Sequence, residues 1–313
     1  MTSQHRPVRG GGPRGRELSS PRGGVGWLVR RTLGRPWRVL GAAALAATLL
    51  AGCATLDQRQ REWIFRPSDR AWPGGLAAAR TMQDVWIDYE TRQREPVRLH
   101  ALWASPPRPG APVLLYLHGA GYDVRGSAHR MQRWQSLGFG VLGVDYRGFG
   151  RSSEALPSEA SAVEDALAAW DWLRREHGLQ RRFVFGHSLG GAIAVALASE
   201  VDDEAGLIVE GAFTSIPDVV ATFRWGWLPV SPLITQRFDA AARIGGVGSP
   251  VLVLHGDADR LIRPQLGRRL YERAAPPKRF VLVEGASHHS ASAVGRDALR
   301  AALDELWGLR AAE

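Results

Sequence analysis

The sequence contains only one cysteine, Cys53, among its 313 residues. An intramolecular disulfide is therefore impossible. Acidic residues are nearly absent from residues 1–38, which contain nine Arg and a single acid, Glu17. The rest of the chain is balanced, with 31 basic and 30 acidic residues. Nearly all of the net charge of +9 thus lies in residues 1–38. The rest of the chain lacks the broad basic field that nucleic-acid binding requires.

The apolar run that follows the Arg-rich segment is short. Residues 39–50 contain no charge, but these twelve residues are fewer than the ~20 needed to span a bilayer. A basic segment followed by a short apolar region and small residues is typical of a secretory signal peptide. Arg30 and Arg31 partly resemble a twin-arginine export motif, so ordinary secretion, which we favour, has an alternative. A translation start later than Met1 would also explain the long basic segment.

The segment Leu50–Cys53, with the sequence Leu-Ala-Gly-Cys, resembles a bacterial lipobox. In such signals the cysteine thiol is acylated and the chain is cut just before it. The resemblance implies a signal peptide over residues 1–52, a lipid-anchored polar tether over residues 53–80 and a mature chain of 261 residues. It also implies an extracytoplasmic, membrane-anchored protein. Ala54 stands where Asp would retain such a protein at the inner membrane, which favours the outer membrane.

The remaining residues, 81–313, have the pattern of one α/β domain. The chain is 45% hydrophobic and 23% charged, which excludes disordered and fibrous classes. Helical patterns occupy residues 158–177, 189–199 and 292–309. They alternate with eight predicted strands, at Val85–Tyr89, Leu99–Trp103, Val113–Leu117, Val141–Val144, Phe183–Phe185, Leu207–Val209, Val251–Leu254 and Phe280–Val283. This alternation predicts a mostly parallel eight-stranded sheet with helices on both faces and an antiparallel edge hairpin at its start.

The most specific chemical signal is the segment 186–190, Gly-His-Ser-Leu-Gly. It matches the pattern G-x-S-x-G and lies between a predicted strand and a predicted helix. In this setting the serine occupies a strained turn, and the glycines two positions away leave room for it. The turn exposes the Ser188 hydroxyl, and the start of the following helix faces developing negative charge. The context therefore predicts that Ser188 is a nucleophile.

Three further segments follow predicted strands in the order that a serine hydrolase needs. Residues 118–121 are Gly-rich, and the backbone N–H groups of Ala120 and Leu189 together are candidates for an oxyanion hole. Residues 255–259 place two acids, Asp257 and Asp259, after a late strand. Residues 284–289 end in two histidines after the last strand. An acid and a histidine at these places are suited to act as the orienting carboxylate and the general base.

With this chain order, residues 80–310 resemble the α/β-hydrolase superfamily, and most closely its small-capped branch with depalmitoylase-like and serine-aminopeptidase-like members. The segments 145–152 and 210–215 support that branch. The family pattern H-G-x-x-D implies that Asp259, rather than Asp257, is the catalytic acid, and the pattern G-A-x-H implies that His288, rather than His289, is the base. The resemblance further implies attack by Ser188 on a carbonyl, an acyl-enzyme, and hydrolysis of that intermediate by water.

The resemblance also implies a short helical cap over residues 216–244, an insertion that is rich in aromatic residues. These aromatics either contact an apolar acyl chain or pack the cap on the sheet. We expect an esterase or thioesterase acting on a small or lipid-like acyl substrate, such as a palmitoyl group. A peptidase or amidase of the same fold and a non-catalytic scaffold are the alternatives. No cofactor and no metal is expected, since a zinc site built from the acids and histidines above would leave the serine turn unexplained.

Overall fold

The structure, a computed structural model, describes residues 35–69 and 73–309. The basic part of the predicted signal peptide, including Arg30 and Arg31, lies outside the described residues. The chain forms two compact units, residues 1–53 and 54–313. The boundary falls within one residue of the predicted cleavage site before Cys53.

In the first unit, the described part is the beginning of helix α1 (Arg35–Phe65). Residues Val39–Phe65 are long and apolar enough to cross a membrane, by length and composition alone. Residues 39–50 alone are too few to span a bilayer, but the uncharged stretch covers 18 residues, from Val39 to Leu56. A signal sequence near the N-terminus passes the same test of length and composition.

The second unit is built on an eight-stranded sheet with the order β1-β2-β4-β3-β5-β6-β7-β8. Strands β1 and β2 form an antiparallel hairpin at one edge, β2 is antiparallel to β4, and all later pairs are parallel. The strands are β1 (Gln83–Glu90), β2 (Pro96–Ala104), β3 (Val113–Leu117), β4 (Gly140–Val144), β5 (Arg182–His187), β6 (Gly206–Glu210), β7 (Val251–Gly256) and β8 (Lys278–Val283). The predicted strands and the predicted sheet are confirmed.

The other helices are α2 (Pro73–Ala79), α3 (Val124–Ser136), α4 (Glu159–Glu176), α5 (Leu189–Ala198), α6 (Ile216–Ala221), α7 (Ala240–Arg243), α8 (Pro264–Arg273), α9 (Ala291–Val294) and α10 (Arg296–Trp307). Helices α4, α5 and α8 cover one face of the sheet, and α3 and α10 cover the other. The single helix expected over residues 292–309 is two helices, α9 and α10, with a break at Gly295. A side chain at Gly295 would approach Val283 to 2.5 Å, so the chain needs glycine where it passes β8.

Residues 54–65 continue helix α1 into the second unit and pack against the domain. The Oδ1 atom of Asp57 accepts hydrogen bonds from Thr235 Oγ1 at 2.7 Å and from Gln236 Nε2 at 2.8 Å. Phe65 is fully buried, with its ring 5.6 Å from that of Phe238. The segment predicted as a polar tether is thus helical up to Phe65 and is part of the domain surface.

The predicted cap region contains little regular structure. Helix α6 and helix α7 stand at its two ends, and a short 3₁₀ turn, Ser231–Leu233, lies between them. Ser215 caps the first turn of α6 by accepting a hydrogen bond from the N–H of Asp218. The segment between α6 and α7 is held by the contacts of residues 57–65 described above rather than by a hydrophobic core of its own.

Candidate functional site

Strand β5 and helix α5 meet at Ser188 in a sharp turn. The backbone of Ser188 has φ 56° and ψ −120°, values that a non-glycine residue adopts only under local strain. Two hydrogen bonds hold this conformation: Ser188 N–H donates to the carbonyl of Glu210 at 2.9 Å, and Ser188 O accepts from Gly191 N–H at 2.9 Å. The expected strand–turn–helix context of the serine is therefore present.

The two flanking glycines are required by close backbone approaches. A side chain at Gly186 would lie 2.1 Å from the carbonyl oxygen of Gly190. A side chain at Gly190 would lie 2.2 Å from the carbonyl oxygen of Leu117, at the end of β3. No Cβ atom is accommodated at such distances from backbone. The pattern G-x-S-x-G is thus explained at both glycine positions by packing of the turn against β3 and α5.

His288 and Asp259 lie together at the carboxyl edge of the sheet. The Nδ1 atom of His288 is 2.7 Å from Asp259 Oδ2, and both side chains are buried. The other carboxylate oxygen of Asp259 accepts hydrogen bonds from the N–H groups of Leu261 and Ile262 at 2.9 Å and 2.8 Å. Because the carboxylate engages Nδ1, the Nε2 atom of His288 is the ring nitrogen left for proton transfer.

The carboxylate of Asp259 is stabilised in its ionised form. Burial alone would raise its pKa, but hydrogen bonds from His255 and His288 outweigh that effect and hold the pKa well below its usual range. His255 Nε2 lies 3.2 Å from Asp259 Oδ2 and 2.9 Å from the carbonyl of Ile262. Asp259 therefore stays charged at neutral pH, as a group that stabilises an imidazolium must.

The neighbours Asp257 and His289 have different surroundings. Asp257 is exposed and accepts a hydrogen bond from Gly285 N–H at 2.7 Å, which ties the β7 loop to the β8 loop. His289 is exposed, and its ring centroid lies 4.9 Å from that of His288. The structure thus brings His288 to Asp259 and leaves the other acid as a loop contact.

The loop after β3 lies directly against the serine. A side chain at Gly119 would be 3.2 Å from Ser188 Cβ, so the loop needs glycine to approach this closely. The N–H of Gly121 donates to the carbonyl of Phe65 at 3.0 Å, which fixes the loop from the side of helix α1. Ala120 lines the same cavity as Ser188. Leu189 is the first residue of α5, where backbone N–H groups have no partner within the helix.

A buried ion pair, which the sequence patterns do not reveal, fixes the histidine loop. Arg130 on α3 and Glu210 at the end of β6 approach to 3.6 Å and are both almost fully buried. Arg130 Nη2 donates to the carbonyl of His289 at 2.8 Å, and Glu210 Oε1 accepts from Ser292 N–H at 3.0 Å. The pair therefore holds the backbone on the C-terminal side of His288, while the Glu210 carbonyl holds that of the serine.

These groups border a cavity of about 600 Å³. Among the residues that the structure describes, its lining contains two arginines, four histidines and no carboxylate: the charged and imidazole groups are Arg66, His129, Arg130, His187, His288 and His289. Burial and the nearby arginines Arg133 and Arg130 lower the pKa of His129 to about 4. Burial also lowers the pKa of His187 well below its ordinary value. Arg66 and Arg130 are the guanidinium groups of this lining, and Arg130 is paired with Glu210.

His187, His288 and His289 are the group with metal-ligand geometry found within residues 35–69 and 73–309, with ring nitrogens that lie within 4.8 Å of one another. One ring nitrogen of His288 and one of His187 have protein partners. His288 Nδ1 contacts Asp259, and His187 Nε2 lies 2.9 Å from the carbonyl oxygen of His288.

Comparison with known proteins gives a consistent family. The model of the family "Serine aminopeptidase, S33" matches residues 109–240. An uncharacterized protein of Mycobacterium tuberculosis is 33% identical over 277 residues, which cover 86% of this chain and 96% of that protein. The lysophosphatidylserine lipase ABHD12 of Danio rerio is 35% identical over 186 residues, which cover 53% of this chain and 48% of that protein. The aligned region is thus about half the length of ABHD12.

Solved structures agree on the fold. The ferulic acid-bound Est1E from Butyrivibrio proteoclasticus has a TM-score of 0.59 at 20% identity, with 72% of this chain and 99% of that chain covered. The Pyrococcus furiosus esterase Pf2001 has a TM-score of 0.59 at 18% identity, with 80% and 99% covered. The chain belongs to the α/β-hydrolase superfamily, as its sequence motifs predicted. The full-length match to the M. tuberculosis protein places both in the same family of these hydrolases.

Proposed function

We propose that the protein is a serine hydrolase that cleaves carboxylic ester or thioester bonds through an acyl-enzyme. The observation that carries the proposal is the hydrogen bond of 2.7 Å between His288 and Asp259, beside the strained Ser188 in one cavity. Ser188 is the nucleophile, His288 takes its proton and returns it to the leaving group, and Asp259 stabilises the imidazolium. The N–H groups of Ala120 and Leu189 stabilise the oxyanion.

Within the family, an ester is favoured over the substrate of an aminopeptidase. An aminopeptidase must bind the ammonium group of its substrate, and a carboxylate is the natural partner for that charge. Among the described residues, the cavity lining contains no Asp or Glu and includes the exposed cation Arg66. This cation would repel an amino terminus. The peptidase alternative is therefore the less favoured function.

The substrate class follows from the same lining and from the relatives. ABHD12 is named a lysophosphatidylserine lipase, which is an esterase for a single-chain lipid with an anionic head group. Arg66 is exposed at the cavity and is suited to contact such a head group. We therefore propose a single-chain acyl ester with an anionic head group as the substrate.

The test uses the full-length protein and a fluorophosphonate probe, together with p-nitrophenyl butyrate, leucine p-nitroanilide and a lysophospholipid. Wild-type protein is expected to be labelled and to hydrolyse both esters, with little release of the anilide. Ser188→Ala removes the nucleophile and is expected to abolish labelling. Ser127→Ala is the matched control, since Ser127 lines the same cavity outside the strained turn and the label should remain. A wild-type protein that neither labels nor hydrolyses any ester would support the non-catalytic scaffold instead.

For the N-terminal segment, we infer that Cys53 is acylated and that the signal peptide is cut just before it, with anchorage on the outer side of the cytoplasmic membrane or on the outer membrane. The residues Leu50–Cys53 and the apolar helix before them support this proposal. Cleavage there removes nothing from the second compact unit, which begins at Ala54.

Cys53→Ala tests this anchor by metabolic labelling with an alkyne fatty acid and by the mass of the purified chain. Wild-type protein is expected to carry the label and to start at residue 53. The variant is expected to lose the label and to keep its N-terminal segment. Because Cys53 is the only thiol, no other cysteine can replace it. A wild-type chain that keeps residues 1–52 and carries no label would overturn the proposal.

A further inference from the structure

The cap region and helix α1 share a surface rich in exposed aromatic side chains. We call the side chains of Trp63, Phe223, Trp225, Trp227, Leu228 and Leu233 the aromatic patch. Trp225 and Trp227 have 62% and 73% of their surface exposed, and Trp63 has 58%. Large apolar side chains that cluster on a surface mark a place of interaction. Phe238 packs in the core against Phe65, but the exposed Phe223, Trp225 and Trp227 have neither of the two roles expected from the sequence, since they are not buried and do not line the cavity around Ser188.

The members of the patch are neighbours in space. The ring of Trp63 meets that of Phe223 edge to face at 6.5 Å. Tight turns connect Phe223 to Leu228, since the N–H of Gly226 donates to the carbonyl of Phe223 and that of Leu228 donates to the carbonyl of Trp225. One helical turn before Trp63, Gln60 Nε2 donates to the carbonyl of Leu233 at 2.7 Å. The patch is therefore one continuous surface held by α1 and the cap.

Charge and chain direction identify the partner of this surface. Residues 219–238 contain two arginines, Arg224 and Arg237, and no acidic residue. The guanidinium of Arg224 lies over the ring of Trp225, 5.5 Å from its centroid. Tryptophan with arginine is the composition of protein surfaces that lie at the level of lipid head groups. Cys53, the proposed site of lipid attachment, also belongs to helix α1 and precedes Trp63 in the chain by ten residues.

We propose that the aromatic patch is a membrane-docking surface that lies in the head-group layer of a bilayer with anionic lipids. The N-terminal segment holds the chain at the bilayer, and the patch sets which side of the domain faces it. The cavity rim is close to this side, because Arg263 Nη2 donates to the carbonyl of Thr222 at 2.9 Å and the nearby Leu261 lines the cavity. Docking would place the cavity where a single-chain lipid enters from the membrane.

The test places an environment-sensitive NBD fluorophore on the full chain, in vesicles of phosphatidylcholine and phosphatidylglycerol. Cys53→Ser removes the native thiol together with the proposed lipid, and the uncleaved apolar N-terminal helix then holds this variant at the bilayer. Trp227→Cys introduces a labelling site in the patch. Leu179→Cys is the matched control. Leu179 is fully exposed and lies just before the start of β5, whereas Ser188 follows the end of that strand. The label at 227 is expected to shift to shorter wavelength and to be quenched by lipids with a doxyl group near the head group. The label at 179 is expected to do neither.

Equal quenching at both positions, or none at 227, would overturn the proposal, and the second result would leave the patch as a protein-binding surface. This measurement does not depend on catalysis.

A second measurement rests on the proposed function and compares hydrolysis of a vesicle-borne ester with that of soluble p-nitrophenyl butyrate. In the double variant Trp225→Gln, Trp227→Gln, the rate of hydrolysis is expected to fall about tenfold for the vesicle-borne ester only. The variant removes aromatic surface that docking in the bilayer would bury. Loss of both activities would contradict docking, and absence of both in the wild type would contradict the proposed hydrolase instead.

Discussion

Asp259→Asn is expected to lower kcat for p-nitrophenyl butyrate by about 10⁴-fold, as loss of the orienting carboxylate does in other serine triads. The carboxylate accepts a hydrogen bond from His288 Nδ1 at 2.7 Å and is held ionised in a buried site. An amide at this position cannot balance the charge of the imidazolium. It also offers an N–H group to Nδ1, which favours the tautomer with its proton on Nε2. That tautomer cannot accept the proton of Ser188.

Asp257→Asn is the matched control for this experiment. The two acids are two residues apart, but Asp257 contacts the N–H of Gly285 and not a histidine. Its replacement should change kcat by far less than that of Asp259. Comparable losses in the two variants would show that the acid has been assigned to the wrong residue. Steady-state kinetics of both purified variants, with unfolding curves to confirm that they are folded, decide the question.

The second large effect is expected for Gly190→Ala, on the stability of the domain. Alanine is favoured over glycine in a helix by about 1 kcal/mol, so propensity alone predicts that the variant is more stable. Its Cβ atom, however, would lie 2.2 Å and 2.5 Å from the carbonyl oxygens of Leu117 and His118. Both are backbone atoms at the end of β3, which cannot move without moving the sheet. We expect the free energy of unfolding to fall by about 3 kcal/mol or more.

Gly248→Ala is the control, since a Cβ atom there would have no atom within 4 Å. Its effect should remain within about 0.5 kcal/mol. Urea unfolding of the wild type and both variants measures the differences. An unfolding free energy of Gly190→Ala equal to or above that of the wild type would refute the close approach of α5 to β3.

The sheet was predictable from the sequence because its strands are buried on both faces. Val113–Leu117 and Val251–Leu254 are continuous apolar runs, and such runs leave little choice of where a strand lies. The serine turn was equally predictable, since the pattern G-x-S-x-G is local in the sequence. Glycine at 186 is imposed by a contact within the strand–turn–helix unit, and glycine at 190 by the end of the neighbouring strand β3. The structure also brings Asp259, rather than Asp257, to His288, as the motif resemblance implied.

Other features depend on contacts between distant parts of the chain and have no local pattern. The helical docking of residues 54–65 rests on hydrogen bonds of Asp57 and Gln60 to residues more than 170 positions away. The pair of Arg130 and Glu210 joins α3, β6 and the histidine loop, and charged side chains in a sequence give no sign of burial. The need for glycine at 295 likewise results from the proximity of Val283 in the folded state. In the sequence, residues 54–65 therefore resembled a polar tether next to the predicted anchor. In the structure, they pack on the domain.

The docking of residues 57–65 has a consequence for where the chain can be shortened. Processing at Cys53 keeps every contact of Asp57, of Gln60 and of the buried ring of Phe65. A soluble form that starts at the first strand, near Gln83, would instead lose the carbonyl that secures Gly121 and the Arg66 side of the cavity wall. The last turns of helix α1 thus support one wall of the cavity around Ser188, and a truncation that removes them is expected to disturb that wall.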